Sequence, residues 1–223
     1  MDELRAAGNR LIELAGPFIE CDDFDGLAIR LQDAWSPECL RLLLTADQDG
    51  IVQVAAVCLG LVGGTRDAKV LAELLHHEAD TVVQSAEHAL WTIWFRAGGP
   101  QGRAALSRIA QFIDDGDTEN VIPILNDLIR SQPGFSEAFH QRSQAFYLAA
   151  DYEQSLRDAR RAFELNPLHF GALVNQAHCY AAMDRMGDAL RLYREVLRIH
   201  PRMPDIRRTI QMLRRSLALT GTA

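Results

Sequence analysis

The sequence lacks the features that mark secreted and membrane proteins. It contains only four cysteines, Cys21, Cys39, Cys58 and Cys179, which are far apart and show no C-x-x-C spacing. We therefore expect reduced thiols, buried as small hydrophobes, rather than a disulfide framework. No apolar run is long enough to span a bilayer, and the charged N-terminus lacks the unbroken apolar stretch of a signal peptide. These absences predict a cytoplasmic location and no membrane partner.

Strand signals are also nearly absent. Apolar residues recur at spacings of three and four, as in Leu71, Leu74 and Leu75, and Gly, Asp or Pro interrupts them every 12 to 18 residues. This pattern predicts short helices joined by tight turns, and hence an all-α fold. A first helix is expected to end before Gly16 and Pro17, because proline disfavours a helix interior.

Lysine is almost missing, since Lys69 is the single lysine among 23 basic residues, and the net charge is −7. Residues 1–101 carry 16 acidic and 7 basic side chains, whereas residues 102–223 carry 14 and 16. Eight arginines fall between Arg191 and Arg215, where they could attract an acidic partner or form a solvated helical face. One local arginine run in an acidic chain argues against a nucleic-acid partner.

Three prolines, Pro133, Pro167 and Pro201, stand 34 residues apart. Around them, small and aromatic residues recur at matching offsets in three units, residues 102–135, 136–169 and 170–203. Two segments carry the pattern most fully, DYEQSLRDARRAFELNP and GDALRLYREVLRIHP. A 34-residue helical period resembles the tetratricopeptide (TPR) repeat, in which each unit is a helical hairpin and proline ends the second helix.

The TPR resemblance has departures, because Arg142 and Gln176 occupy positions where leucine is usual. Ala159 stands where an aromatic residue is usual, so packing at these three positions must be filled differently. After residue 203, an amphipathic helix over about Asp205 to Leu219 would cover the end of the array, as repeat proteins require.

The N-terminal half carries a second, shorter regularity. Leu40, Asp49, Val52, Ala55 and Leu59 are matched 31 residues later by apolar, acidic and small residues of the same kind. The stretch DQDGIVQVAAVCLGLVGG resembles the second half of a HEAT repeat. We therefore predict an all-α, two-part α-solenoid, with HEAT-like hairpins in residues 1–100, and three TPR-like units plus a capping helix in residues 101–223.

The residues that could carry chemistry do not form a recognisable catalytic set. His76, His77, Glu78, Glu87 and His88 suggest a metal site, since some HEAT-like hydroxylases bind iron through repeated His-Glu pairs. Only one such dipeptide is present, whereas a metal needs three or four converging ligands. None of the four cysteines lies in a recognisable catalytic setting, and no glycine-rich loop follows a strand. We expect no catalytic residues, no metal and no cofactor.

The TPR resemblance implies a groove lined by the first helix of each unit. The positions that would face a partner in this groove are Glu137, His140, Gln141, Gln144, Tyr147, Val174, Asn175, His178 and Arg208. Some family members grip a C-terminal carboxylate with lysine, asparagine and a basic pair. Of that set only Asn175 is present, because His140, Gln144, Asp205 and Thr209 occupy the other positions, so no carboxylate clamp is expected.

The function implied by the resemblance is a non-catalytic scaffold that binds a protein or peptide partner in the groove. Two alternatives remain open from the sequence. The chain could be a self-associating structural module of a larger assembly, or a HEAT-type metalloenzyme. The sequence identifies neither the partner nor the oligomeric state.

Overall fold

The computed structural model describes residues 2–114 and 120–220, and the secondary structure in those ranges is entirely helical. This confirms the predicted all-α class. The helices are α1 (Asp2–Glu20), α2 (Phe24–Ala34), α3 (Pro37–Leu43), α4 (Asp49–Val62), α5 (Ala68–Glu73), α6 (Asp80–Arg96), α7 (Gly99–Asp114), α8 (Val121–Ser131), α9 (Ser136–Leu148), α10 (Tyr152–Leu165), α11 (Phe170–Ala182), α12 (Met186–Ile199) and α13 (Pro204–Thr220). Within these residues, no helix combines the length and the hydropathy needed to cross a bilayer.

The prediction that the first helix ends before Gly16 is wrong. Helix α1 continues through Pro17 to Glu20. Proline has no N–H to donate to the carbonyl of Glu13, four residues earlier. Both residues are exposed, so water can solvate that carbonyl and the helix tolerates the missing bond.

The chain divides into two compact units, Met1–Trp94 and Phe95–Ala223, here called the N-terminal and C-terminal units. The predicted boundary after residue 100, and the HEAT-like character of the first part, stay predictions. In the N-terminal unit, α4 packs against α1, α2 and α3 and supplies much of the buried apolar surface. At its C-terminal end, Gly60 lies so close to α6 that a Cβ added there would fall 2.7 Å from the Ala89 Cα.

The cysteines of the N-terminal unit only partly match the expectation of burial. Cys58 is fully buried in α4, and burial raises the pKa of its thiol to about 12. Cys21 and Cys39 are exposed, which corrects the prediction for these two. The reason is their position, because Cys21 lies in the turn after α1 and Cys39 in the first turn of α3.

In the C-terminal unit the helices pack as antiparallel neighbours, α9 with α10 and α11 with α12, and α10 also packs against α11. Pro133, Pro167 and Pro201 each lie in the turn after a helix, as the period predicts. The turns inside the second and third hairpins repeat too, since Ala150 and Asp184 share a φ of 58°. The last helix, α13, begins at Pro204, next to the predicted start at Asp205.

The positions that depart from the repeat pattern are filled by polar contacts. Arg142 donates to both carboxylate oxygens of Asp158, from Nε at 2.6 Å and from Nη2 at 2.8 Å. Its Nη1 donates to the Asn126 amide oxygen at 2.7 Å, so one side chain connects α8, α9 and α10. Gln176 donates from Nε2 to the Ala159 carbonyl at 3.2 Å. Ionic and amide contacts thus occur at the two positions where the TPR resemblance implies leucine.

Candidate functional site

A groove of about 450 Å³ runs along one side of the C-terminal unit. Four helices, α7, α8, α9 and α11, contribute the side chains that line it. The described residues that line it are Ile109, Val121, Ile122, Gln141, Gln144, Ala145, Tyr147, Leu148, Ala149, Asn175 and His178. Its volume lies within the range of pockets that bind small ligands or parts of a peptide.

Local structure explains why Leu148 remains exposed in the groove. It is the last residue of α9, and the left-handed Ala150 then reverses the chain. Asp151 caps the N-terminus of α10, where its side chain accepts the backbone N–H of Gln154 at 3.1 Å. Because the turn leads away at once, the residues that follow Leu148 do not cover it, and it is 79% exposed. Leu148 adjoins the other apolar residues of the lining, among them Ile122 and Ala145, and exposed apolar residues that form one patch are a feature of binding surfaces.

Five of the nine residues predicted for the groove do line it, namely Gln141, Gln144, Tyr147, Asn175 and His178. Glu137 and His140 lie instead in the interior, where they are 0% and 2% exposed. Val174 is half-buried on α11, and Arg208 lies on the exposed side of α13, where its Nη1 is 3.3 Å from Asp205. The structure therefore brings five of the predicted residues together and places Glu137, His140, Val174 and Arg208 outside the groove.

The buried pair Glu137 and His169 connects the first turn of α9 with the N-terminal cap of α11. His169 Nδ1 accepts the backbone N–H of Ala172 at 3.2 Å, so the proton of the neutral ring lies on Nε2. Nε2 is 2.9 Å from Glu137 Oε2 and donates to it, while Gln141 Nε2 donates to Glu137 Oε1 at 2.7 Å. The His140 ring packs on His169 with 4.5 Å between ring centroids.

Burial sets the protonation of this cluster. Desolvation lowers the pKa of both His140 and His169 to about 3, so both rings are neutral at neutral pH. Desolvation likewise raises the pKa of the Glu137 carboxyl, against the effect of His140 and of the hydrogen bond from Gln141. The cluster connects α9 to the first turn of α11 through hydrogen bonds that the neutral groups of His169 and Gln141 donate to the Glu137 carboxylate.

Among the described residues, Glu137, His140 and His169 are also the one group of three potential metal ligands whose donor atoms all lie within 4.8 Å of each other. A metal on His169 Nε2 would have to displace the proton that Glu137 accepts. Moving that proton to Nδ1 would break the hydrogen bond that caps α11. The hydrogen bonds thus describe a core cluster and not a metal centre.

The residues that suggested a metal site from sequence lie elsewhere. His77 Nδ1 accepts the backbone N–H of Ala79 at 3.1 Å, and its Nε2 is 3.8 Å from an Asp49 carboxylate oxygen. His88 is exposed, with its ring 6.1 Å from that of Phe24. No three of these side chains meet in the described part of the chain.

A chain of buried polar groups lies directly under the groove. Ser143 Oγ donates to the His140 carbonyl at 2.6 Å, and Ser155 Oγ donates to the Ser143 carbonyl at 2.6 Å. Both hydroxyl oxygens accept from Asn175 Nδ2, at 2.8 Å and 3.1 Å, and the Cys179 thiol donates to Ser155 at 3.0 Å. The network holds α9, α10 and α11 together and fixes the floor of the groove.

Aromatic rings form the end of the groove near Tyr147. The centroid of the Tyr147 ring lies 5.5 Å from that of Tyr152 and 6.0 Å from that of His178. The ring centroids of His178 and Tyr193 are 5.7 Å apart. Burial lowers the pKa of His178 and raises that of Tyr147, so both are neutral at neutral pH. Aromatic surface with a polar edge suits the binding of a peptide side chain.

Sequence reasoning missed the apolar residues of the groove, which are Ile109, Val121, Ile122, Ala145, Leu148 and Ala149. For Leu148 a signal exists, since it lies four residues after Gln144 and seven after Gln141, on the same helical face. For Ile109 and Val121 no such signal exists, because their apolar character also fits the buried core in which they take part.

Comparison with known proteins shows that the chain is similar to TPR proteins. No protein-family model matches the chain. A TPR repeat-containing protein of Rhizobium etli is 24% identical over 121 residues, which cover 52% of this chain. The chain spans somewhat over half, 59%, of that relative's length.

Two solved TPR domains resemble the structure. The Sgt2 TPR domain from Aspergillus fumigatus matches with a TM-score of 0.52 at 13% identity, over 56% of this chain and 83% of that one. The first TPR of Spaghetti (RPAP3), solved with the HSP90 peptide SRMEEVD, matches with a TM-score of 0.50 at 16% identity, over 52% and 91%. Both show a fold of TPR type in this chain. The helical hairpins predicted from the proline period are thereby confirmed.

Proposed function

We propose that this chain is a non-catalytic interaction module that binds a segment of a protein partner in the groove of its C-terminal unit. The observation that carries the proposal is the groove itself. It combines an exposed Leu148 with a polar floor fixed by internal hydrogen bonds. Such preorganised clefts bind a segment by burying a few anchor side chains, at little cost in conformational entropy.

The comparisons support this kind of activity. The Spaghetti domain was solved with a bound peptide, and its helical hairpins have the same type of fold. A likeness of fold is a weak warrant for a partner, so the identity of the HSP90 peptide is not carried over. The four cysteines form no disulfide, which supports the predicted cytoplasmic location.

A peptide-display selection on the full-length chain tests the proposal. Random short peptides on phage would be selected on the wild-type protein and on Leu148→Glu, which places a charge in the apolar part of the groove. Leu148 is exposed, so the substitution should leave the fold intact. Leu42→Glu is the matched control, because Leu42 is 63% exposed and belongs to the N-terminal unit.

We expect peptides enriched on the wild type and on Leu42→Glu to bind Leu148→Glu about tenfold more weakly or worse, since one buried anchor contributes more than about 1.4 kcal/mol. Equal enrichment on all three proteins would overturn the groove as the binding site. If Leu148→Glu instead converts a wild-type oligomer to a monomer in sedimentation, the groove holds a second copy of the chain. The self-associating module would then be the correct function.

A further inference from the structure

The kind of segment that the groove accepts can be inferred from its charges and its hydrogen-bonding atoms, and this step rests on the proposed function above. The described residues that line the groove include no Asp, Glu, Lys or Arg. Among these described residues, only His178 could become positively charged near neutral pH, and burial lowers its pKa and holds it neutral. An anionic group from a partner would therefore lose its water without gaining an opposite charge from the described residues of the groove.

The orientation of the Asn175 side chain follows from its neighbours. The hydroxyl hydrogens of Ser143 and Ser155 are used on the carbonyls of His140 and Ser143. Both hydroxyl oxygens can then only accept, so the atom of Asn175 that faces them must be the NH₂ group. Its two hydrogens are thereby used inside the protein. The remaining polar atom, Oδ1, receives no hydrogen bond from the described residues.

The orientation of the Gln141 amide can be assigned from its hydrogen bond in the same way. Its Nε2 donates to the Glu137 carboxylate at 2.7 Å, which leaves Oε1 as the acceptor atom without a hydrogen bond from the described residues. Asn175 and Gln141 both line the groove. An amide side chain can offer donors as readily as an acceptor. The contacts of Asn175 and Gln141 fix each amide so that its carbonyl oxygen can still accept a hydrogen bond from a partner.

From these atoms we propose that the groove binds an uncharged internal peptide segment, whose backbone N–H groups donate to Asn175 Oδ1 and Gln141 Oε1 while an apolar side chain packs against Leu148. A C-terminal carboxylate or an acidic side chain is an acceptor too, so it cannot form a hydrogen bond with either of these two oxygen atoms. Extended backbone offers N–H groups at regular intervals and carries no charge. The groove therefore disfavours acidic segments for two reasons: its two available amide oxygens are acceptors, and its described lining residues offer no positive charge.

The test uses two libraries of random short peptides on phage, selected on the full-length chain. In one library both ends of the peptide are joined to the coat protein, and in the other the peptide ends in a free carboxylate. We expect uncharged sequences with one or two large apolar residues to be enriched from the first library. A selected peptide, synthesised with acetyl and amide ends, should bind about tenfold or more tightly than the same peptide with a free carboxylate placed at the groove.

A charge variant makes the test independent of any one peptide. Gln144→Lys adds a positive charge at an exposed residue of the groove, and it should shift enrichment toward acidic and free-carboxylate peptides. Gln154→Lys is the control, because Gln154 is an exposed glutamine on α10 that does not line the groove. It should leave the wild-type preference unchanged.

The outcomes separate this inference from the proposed function. Acidic or free-carboxylate peptides that are enriched on the wild type and lost on Leu148→Glu would overturn the inference and leave the groove as a binding site. Basic peptides enriched in the same way would overturn it as well. Enrichment of no peptide, or of peptides that bind Leu148→Glu equally, would overturn both.

Discussion

Gly60 shows how much one side-chain carbon can matter to the packing of two helices. A Cβ at this position would lie 2.7 Å from the Cα of Ala89 and 2.8 Å from its Cβ, closer than atoms in contact can approach. The nearest neighbour is backbone, so the contact can be relieved only by moving α4 away from α6. The requirement for glycine here comes from the close approach of two helices.

We predict that Gly60→Ala destabilises the N-terminal unit by about 1–3 kcal/mol, the usual cost of overpacking a core. Gly50→Ala is the matched control in the same helix, because an added Cβ there meets nothing within 4 Å. That change should be neutral or stabilise by up to about 1 kcal/mol, since alanine favours helix. Urea unfolding followed by tryptophan fluorescence measures both. Equal effects of the two substitutions would contradict the close approach.

At the scale of single elements, Arg142 connects three helices through charge rather than through apolar packing. Its contacts with Asp158 are bidentate and largely shielded, with the two side chains 19% and 10% exposed. The guanidinium also lies within 6.0 Å of the ring centroids of Phe139 and Phe146. Restoring the leucine that the repeat pattern expects would leave the Asp158 carboxylate shielded and without its main partner.

We predict that Arg142→Leu lowers the free energy of unfolding of the C-terminal unit by about 3 kcal/mol, the order found when a shielded pair loses one member. Adding Asp158→Leu should recover most of this loss, because two apolar residues can then pack in place of the ion pair. The control is Arg130→Leu, which removes an exposed pair with Asp127 and should cost less than about 1 kcal/mol. Urea unfolding followed by tyrosine circular dichroism measures all three. A double variant no more stable than Arg142→Leu would show that the pair is not the cause.

The helices of the C-terminal unit could be predicted from sequence, because proline positions and a 34-residue period are local features. The end of α1 could not, since whether Pro17 breaks a helix depends on solvent access to a carbonyl. Counting repeat positions predicted that Gln141, Asn175, Glu137 and His140 all face the groove, whereas the first two line it and the last two are buried. Their burial depends on the first turn of α11, where His169 supplies a partner that no pattern of apolar residues reveals.

At the scale of the whole molecule, the two units differ in how their histidines are placed. His140 and His169 in the C-terminal unit are buried, with pKa values lowered to about 3, and the pKa of His178 is lowered too. In the N-terminal unit, His76 and His88 are exposed and His77 is half-buried. In an unfolded chain each histidine has a pKa near 6.5, so below that pH the unfolded C-terminal unit binds more protons than the folded one.

The sign of the effect follows from this difference. Stability from the buried histidines is complete above about pH 6.5 and decreases as the pH falls toward 3, because unfolding then takes up protons. Each buried histidine contributes up to about 1.4 kcal/mol per pH unit in that range. Glu137 opposes the change, because its raised pKa lets the folded state take up a proton first. The free energy of unfolding should therefore change with pH less steeply than the histidine contributions add up to. Lowering the pH should still favour unfolding.

We predict that lowering the pH from 7 to 5 weakens the C-terminal unit much more than the N-terminal unit. The chain carries its own reporters, because Trp35, Trp91 and Trp94 all lie in the N-terminal unit. The four tyrosines, Tyr147, Tyr152, Tyr180 and Tyr193, all lie in the C-terminal unit. Urea unfolding at each pH should show the tyrosine transition moving to lower urea while the tryptophan transition moves little. If both transitions move together, or only the tryptophan transition moves, the buried histidines do not govern the acid response, and the hydrogen bond from His169 to Glu137 is not maintained by a neutral ring.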